Sequence, residues 1–258
     1  MVIRIGPAGT GGNSLEGIRR MKELGLDAVE IEFVRGVRMS NELASRISEE
    51  NRKLGLTLSV HAPYYINLAS HEAEKIEASK KRILDSCERA HHMGAECVVF
   101  HAAFYGKHTA EECYSLVKEA VIEMQRTIKE NRWDVILCPE TTGKKSQFGT
   151  MEELSRLSAE TGCGVCIDFA HIYARNNGSI DYDRTMEQIK GLKHATAHFS
   201  GINFNEKGER NHELTSEESV RELFTSLRKH DISITIINES PDPVGDALMM
   251  RKIREEKR

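Results

Sequence analysis

Short β-branched runs alternate along this chain with longer stretches of helical periodicity, and turn residues separate the two. The strand-like runs are V-I-R-I-G (2–6), A-V-E-I-E-F (28–33), L-T-L-S-V-H (56–61), C-V-V-F-H (97–101), V-I-L-C-P-E (135–140), G-V-C-I-D (164–168), A-T-A-H-F (195–199) and S-I-T-I-I-N-E (233–239). Helical candidates follow them: S-L-E-G-I-R-R-M-K-E-L-G, with a Ser N-cap and a Gly stop, then stretches near 41–54, 72–93, 109–131, 151–161, 181–191, 216–229 and 244–255. Eight βα units with no composition break or Pro/Ser-rich linker predict an α/β protein, a single (β/α)₈ barrel spanning 1–258. Parallel strands buried on both faces need crossover helices, and right-handed crossovers close them into a cylinder.

Composition narrows the setting without identifying a chemistry. A net charge of −4 argues against a chain coated in positive charge that binds nucleic acid wherever it lands, and leaves room for a local basic site. Six cysteines, several inside apolar runs, read as reduced thiols rather than a disulfide framework. Cys163 and Cys166 form a C-x-x-C whose second member lies within a strand, with no second C-x-x-C to pair with it, so it is read as core rather than redox or zinc site. There is no 18-residue apolar run and no signal-like segment, so the expectation is a soluble, cytoplasmic protein with no membrane partner. The charged R-K-I-R-E-E-K-R at the C-terminus reads as the exposed end of the last helix.

The candidate chemistry lies at the ends of the predicted strands. Strands three to eight end at or near His61, His101, Glu140, Asp168, His198 and Glu239. In a parallel barrel these ends share the C-terminal mouth, so residues distant in sequence converge. Three imidazoles and three carboxylates crowded together are costly without a partner, and a divalent cation such as zinc, manganese or iron resolves the cost. A carboxylate bridging two cations is the arrangement that polarises a phosphoryl oxygen while generating hydroxide. His171 follows Asp168 by three residues and can face the same mouth, and the segment after strand seven, H-F-S-G-I-N-F-N-E-K-G-E-R-N-H-E, places Glu209 and His212 where a long loop can fold back. Around the mouth, the loops carry Arg35, Arg38, Lys107, Lys144, Lys145, Arg175, Lys207 and Arg210, a ring able to contact phosphates.

The stretch H-A-P-Y-Y-I-N-L-A (61–69) resembles the first signature of the endonuclease IV family of apurinic/apyrimidinic (AP) endonucleases, with Tyr65 in a position that is usually aliphatic. G-V-C-I-D-F-A-H resembles the second signature, keeping Asp168 and His171 but carrying Phe169 and Ala170 where the family has Thr and Cys. The resemblance implies a (β/α)₈ barrel, two or three zinc ions (manganese being an alternative), no organic cofactor, and cleavage of duplex DNA 5′ to an abasic site, with Glu140 and Glu239 as catalytic carboxylates. It further implies that His61, His101 and Glu140 hold one metal, that Glu140 bridges to a second completed by Asp168, His198 and Glu239, and that His171 belongs to a third. Tyr64 matches the signature tyrosine that inserts at or stacks on the DNA, and Asn67 the signature asparagine; with Arg35 and Arg38 they form the expected DNA-binding set. The third signature departs from the family: H-F-S-G stands where His-x-Asn-Asp is usual, and Arg210 stands two places before His212. Glu209 is the substitute carboxylate with a longer arm. The rival reading is a mononuclear manganese- or cobalt-dependent sugar isomerase or epimerase of the xylose isomerase type, built on the quartet Glu140, Asp168, His198 and Glu239. A metal-retaining but inactive binding module is the third.

Overall fold

A computed structural model describes residues 1–256. In chain order its elements are β1 (Ile3–Pro7), α1 (Ser14–Glu23), β2 (Ala28–Glu32), α2 (Asn41–Leu54), β3 (Thr57–His61), α3 (Ala73–Met93), β4 (Cys97–Phe100), β5 (Ala103–Phe104), α4 (Ala110–Glu130), β6 (Ile136–Pro139), β7 (Gln147–Phe148), α5 (Met151–Thr161), β8 (Val165–Asp168), α6 (Phe169–Arg175), α7 (Tyr182–Lys190), β9 (Ala195–Phe199), β10 (Gly201–Asn205), β11 (Gly208–Glu213), α8 (Glu217–Lys229), β12 (Ile234–Asn238) and α9 (Pro243–Glu255).

Eight of these strands pair in parallel as two four-stranded sheets, β2-β3-β4-β6 and β8-β9-β12-β1. Single bridges, Ala8 to Glu30 and Glu140 to Cys166, join the sheets and close the cylinder. The (β/α)₈ barrel expected from the sequence is therefore the fold. At the β1–β2 seam the backbones come so close that a Cβ on Gly6 would lie 1.9 Å from the Ala28 carbonyl oxygen, which is why no side chain is tolerated there. Helix boundaries follow the local chemistry: α1 is capped by Asn13, whose side-chain oxygen accepts the Leu15 N–H, and not by the expected Ser14; Thr109/Glu112 and Thr150/Glu153 form reciprocal caps at the starts of α4 and α5, and Gly55, Gly94 and Gly162 end α2, α3 and α5 in the left-handed region.

The alternation of each strand sorts its side chains between two layers. Outward residues such as Leu58, Val98, Leu137 and Ile167 join helix residues such as Ile83, Val117 and Leu154 in one continuous apolar shell. Inside the barrel the only separate apolar cluster among the described residues is small: Cys97, Val99, Cys138 and Cys166, backed by Ile136. Much of the rest of the interior is polar, with Glu30, Ser59, His61, Asp168, Thr196 and His198 all buried.

Five elements, in three places, depart from the sequence expectation. The segment expected as a loop after strand seven is an antiparallel hairpin, β10 and β11, with a bulge at Asn203/Phe204. The short pair β5 and β7 is also antiparallel, and α6 forms directly after β8, its first turn capped by the Asp168 carboxylate. All six cysteines are free and buried. Among the described residues no helix is long and apolar enough to cross a membrane. The C-terminal basic stretch stays helical to Glu255, and its last two residues lie outside the described ones.

Candidate metal centre at the barrel mouth

Glu140 follows the last residue of β6 and is almost wholly buried at the centre of the mouth. Its two carboxylate oxygens face different imidazoles. Oε2 lies 2.9 Å from His101 Nε2 and 3.2 Å from His61 Nε2, whereas Oε1 lies 3.1 Å from His198 Nδ1 and 3.4 Å from His171 Nδ1. The donor atoms of His61, His101 and Glu140 lie within 4.8 Å of one another, as do those of Glu140, Asp168, His198 and Glu239, and those of Asp168, His171 and His212. The nine residues expected to ligate metal thus come together, Glu209 included, with its Oε2 at 3.4 Å from His171 Nε2.

Local hydrogen bonds aim these side chains. The His61 ring, with Nδ1 protonated, donates to the Ala62 carbonyl at 2.8 Å, which turns Nε2 toward the centre. His171 Nδ1 is 2.9 Å from the Thr141 carbonyl, and the Thr141 hydroxyl in turn accepts from the Asp168 backbone N–H at 2.8 Å. The Asp168 carboxylate uses Oδ1 to accept the His171 N–H at 2.7 Å. That leaves Asp168 Oδ2 and His171 Nε2 buried without a hydrogen bond, each with only a longer ion-pair approach, 3.3 Å to His171 Nδ1 and 3.4 Å to Glu209 Oε2, and a divalent cation between them would satisfy both. Ser200 Oγ sits 2.6 Å from His212 Nδ1 and fixes the last imidazole.

The hairpin is what brings Glu209 in. Gly208, at φ +100°, approaches the Gly143 carbonyl so closely that a Cβ on it would lie 2.1 Å from that oxygen, and the Glu209 N–H donates to the same carbonyl at 3.1 Å. A Cβ at Gly143 would in turn fall 2.6 Å from the Glu209 Cβ. Two glycines therefore make the space in which the longer carboxylate reaches His171.

Glu30 was not singled out in the sequence, yet it carries the far side of the centre. Completely buried, it places Oε1 2.9 Å from His198 Nε2 and accepts the Ser59 hydroxyl on Oε2 at 2.7 Å. The signal was present: in V-E-I-E-F, two carboxylates interrupt a strand whose both faces are covered, where an unbroken apolar run is the norm.

Without metal the group is a dense network of opposed charges. Burial alone would lower the His61 imidazole, but the hydrogen bond to Glu140 and the charges of Glu32, Glu140 and Glu30 raise it to about 10. His171 is likewise raised to about 10, against its burial, chiefly by Asp168 and Glu140. Burial would raise Glu140, yet His101 and His198 hold it well below the usual carboxylate range. Burial dominates at Glu32, pushing it up to about 8. An all-nitrogen and oxygen donor set with a shared carboxylate and fixed tautomers fits zinc or manganese.

The expected DNA-contacting residues divide. Tyr64 and Tyr65 are 62% and 68% exposed, on the loop beside His61, unusual for side chains of that size. Arg35 and Arg38 are exposed and make no ion pair with any described residue. Asn67 is turned inward: its carbonyl oxygen accepts the Ala69 and Phe104 N–H groups, so it shapes the loop. Arg175 is a correction to the basic ring. Its guanidinium donates to the carbonyls of Thr142, Lys144 and Gln147 and so braces the loop after β6 instead of projecting outward. Lys145 is similarly tied to Asn177.

A closed parallel barrel with a polar, ligand-rich mouth defines an enzyme scaffold, and the sequence places it. Residues 18–256 match the family model described as the xylose isomerase-like TIM barrel, and the chain belongs to that family. It is 35% identical over 248 residues to the uncharacterized protein MJ0133 of Methanocaldococcus jannaschii, across 92% of this chain and 90% of that one. It is 35% identical over 121 residues to endonuclease 4 of Thermus thermophilus, an alignment covering 46% of this chain and 42% of the enzyme. Among solved structures, an endonuclease IV from Thermus thermophilus superposes with a TM-score of 0.73 at 24% identity, over 97% of both chains. The 3-keto-D-glucoside 4-epimerase YcjR from E. coli superposes at 0.71 with 17% identity, over 98% of this chain and 99% of that one. At those identities the two superpositions speak for the shared fold.

Proposed function

We propose that the protein is a metal-dependent phosphodiesterase that cleaves duplex DNA 5′ to abasic sites. The observation that carries this reading is the division of Glu140, with one carboxylate oxygen toward His61 and His101 and the other toward His198 and His171. A mononuclear sugar epimerase built on Glu140, Asp168, His198 and Glu239 has no use for an imidazole pair on Glu140 Oε2. A cluster of two or three cations does.

Bound zinc or manganese would supply hydroxide near neutral pH and neutralise the charge that develops on the phosphoryl oxygens. The chain's own groups do the rest. Glu140 holds the two halves of the centre together, and Glu239 closes the second half beside His198, at 3.3 Å. Asp168, His171, Glu209 and His212 form the third donor set, with Glu209 replacing the missing aspartate. Tyr64, standing beside His61, supplies an aromatic face for a strand interrupted by a missing base, where unstacking costs least. Arg35 and Arg38 take the flanking phosphates, a contact that weakens with salt.

A duplex carrying one abasic analogue and a panel of free ketoses and keto-sugars are the direct test. Incision immediately 5′ of the lesion, lost on chelation and restored by zinc or manganese, supports the reading; sugar epimerisation without incision overturns it. Glu30→Gln tests the support behind His198. With no carboxylate facing His198 Nε2, metal affinity in competition with a chelator and the incision rate are each expected to fall about 10- to 100-fold, with the far-UV circular dichroism unchanged.

A further inference from the structure

A second donor cluster lies inside the barrel, toward the end opposite the mouth. Cys97 opens β4, Cys138 lies in β6, and His194 immediately precedes β9. Cys97 and His194 each stand four residues before a mouth histidine, His101 and His198, which along a strand is a separation of about 13 Å. The two sulfurs and a ring nitrogen of His194 lie within 4.8 Å of one another. Both cysteines are buried, at 2% and 0% exposure. With Cys138 and His194 beside it, the Cys97 thiol is held down to about 7 against its burial.

Two further features bear on this cluster. His194 Nε2 is buried and has no hydrogen-bond partner. Gly164, just ahead of β8, leaves the space the cluster occupies: a Cβ there would fall 2.6 Å from Cys138 Sγ and 2.9 Å from His194 Cδ2. A cavity of about 440 Å³, lined in part by Glu96, His194 and Thr235, connects the histidine to the surface at this end of the barrel.

We propose that Cys97, Cys138 and His194 form a thiolate/imidazole site for a single zinc-like dication, separate from the mouth centre. Two thiolates and a neutral imidazole around a dication sum to zero charge, the condition under which such a group sits in a low-dielectric interior without a further counter-ion. Three protein donors leave one coordination position for a further ligand. The softer donors select a softer metal than the oxygen-rich mouth does. The site is independent of what the mouth acts on.

Cobalt(II) titration of the metal-stripped, reduced protein tests the assignment, because thiolate ligation gives a near-ultraviolet charge-transfer absorption that nitrogen and oxygen donors do not. The band is expected in the wild type and in Glu140→Gln, whose mouth is impaired. It is also expected in Cys166→Ala, which removes the thiol nearest Glu140 and His198. The double variant Cys97→Ser/Cys138→Ser is expected to lose it, with one metal fewer per chain. His194→Gln, altering a partly exposed residue, is expected to bind cobalt at least tenfold more weakly at this band while the circular dichroism stays unchanged, so the test holds even if the double variant fails to fold. A wild type with no thiolate band overturns the proposal. So does a band that disappears with Cys166→Ala, or a Cys97–Cys138 disulfide found by mass spectrometry in protein isolated under reductant.

Discussion

Glu140→Gln is expected to slow incision of an abasic duplex by at least about a thousandfold and to lower the number of metal ions bound per chain. Glutamine keeps the shape of the side chain and removes its charge. One amide cannot serve imidazole-bearing sites on both sides, since only its oxygen can coordinate. Losing the shared carboxylate withdraws about 4 kcal/mol or more of transition-state charge stabilisation, which corresponds to that factor in rate. A second consequence appears without metal. His61 and His171 are raised to about 10 and are therefore protonated at neutral pH. In the variant, buried cations lose their central counter-charge, a loss that costs about 3–5 kcal/mol when one partner of a buried pair is removed. Urea unfolding of the metal-free proteins reads this directly. A variant with full metal content and wild-type incision would remove the basis of the bridged centre.

His61→Ala combined with His101→Ala separates a cluster from a single-metal site. These two imidazoles approach Oε2 of Glu140 and not Oε1, and the quartet Glu140, Asp168, His198 and Glu239 is untouched by their removal. The double variant is expected to lose at least one metal per chain, keep another, and incise at least about a hundredfold more slowly, a loss of roughly 2.7 kcal/mol. Metal analysis and single-turnover incision are the readouts. Unchanged metal content together with intact turnover of a ketose would instead identify the quartet as the working site and the histidines as bystanders.

The sheet pairings explain why the barrel and most of the centre could be read in advance. A strand buried on both faces leaves a short unbroken apolar run and a helix with one apolar stripe leaves a period-3.6 trace, and both survive without any tertiary information. His61, Glu140, Asp168 and Glu239 each stand at or just after the end of such a run, and parallel closure forces those ends together. The hairpin of β10 and β11 left a weaker trace. Ile202 and Phe204 alternate with polar residues on one strand, but the partner strand G-E-R-N-H-E carries no apolar residue to pair with them. Its position depends on Gly143 and Gly208 meeting across about 65 residues of chain, a contact invisible to local pattern.

Arg175 and Asn67 show the same limit from the other side. Their residue types and loop positions suggest contacts with a ligand, yet the fold brings backbone carbonyls to the arginine and backbone N–H groups to the asparagine's carbonyl, and unpaired backbone polar groups compete for such side chains wherever water is excluded. Sequence alone determined the cylinder, the end of it where the imidazoles and carboxylates gather, and their residue types, because hydrophobic periodicity and parallel connectivity are local properties with one global solution. Tertiary structure decided which oxygen of Glu140 faces which imidazole, that Glu30 stands behind His198, and that Glu209 reaches His171. Those outcomes depend on small differences in distance between segments far apart in the chain, set by how the whole interior packs.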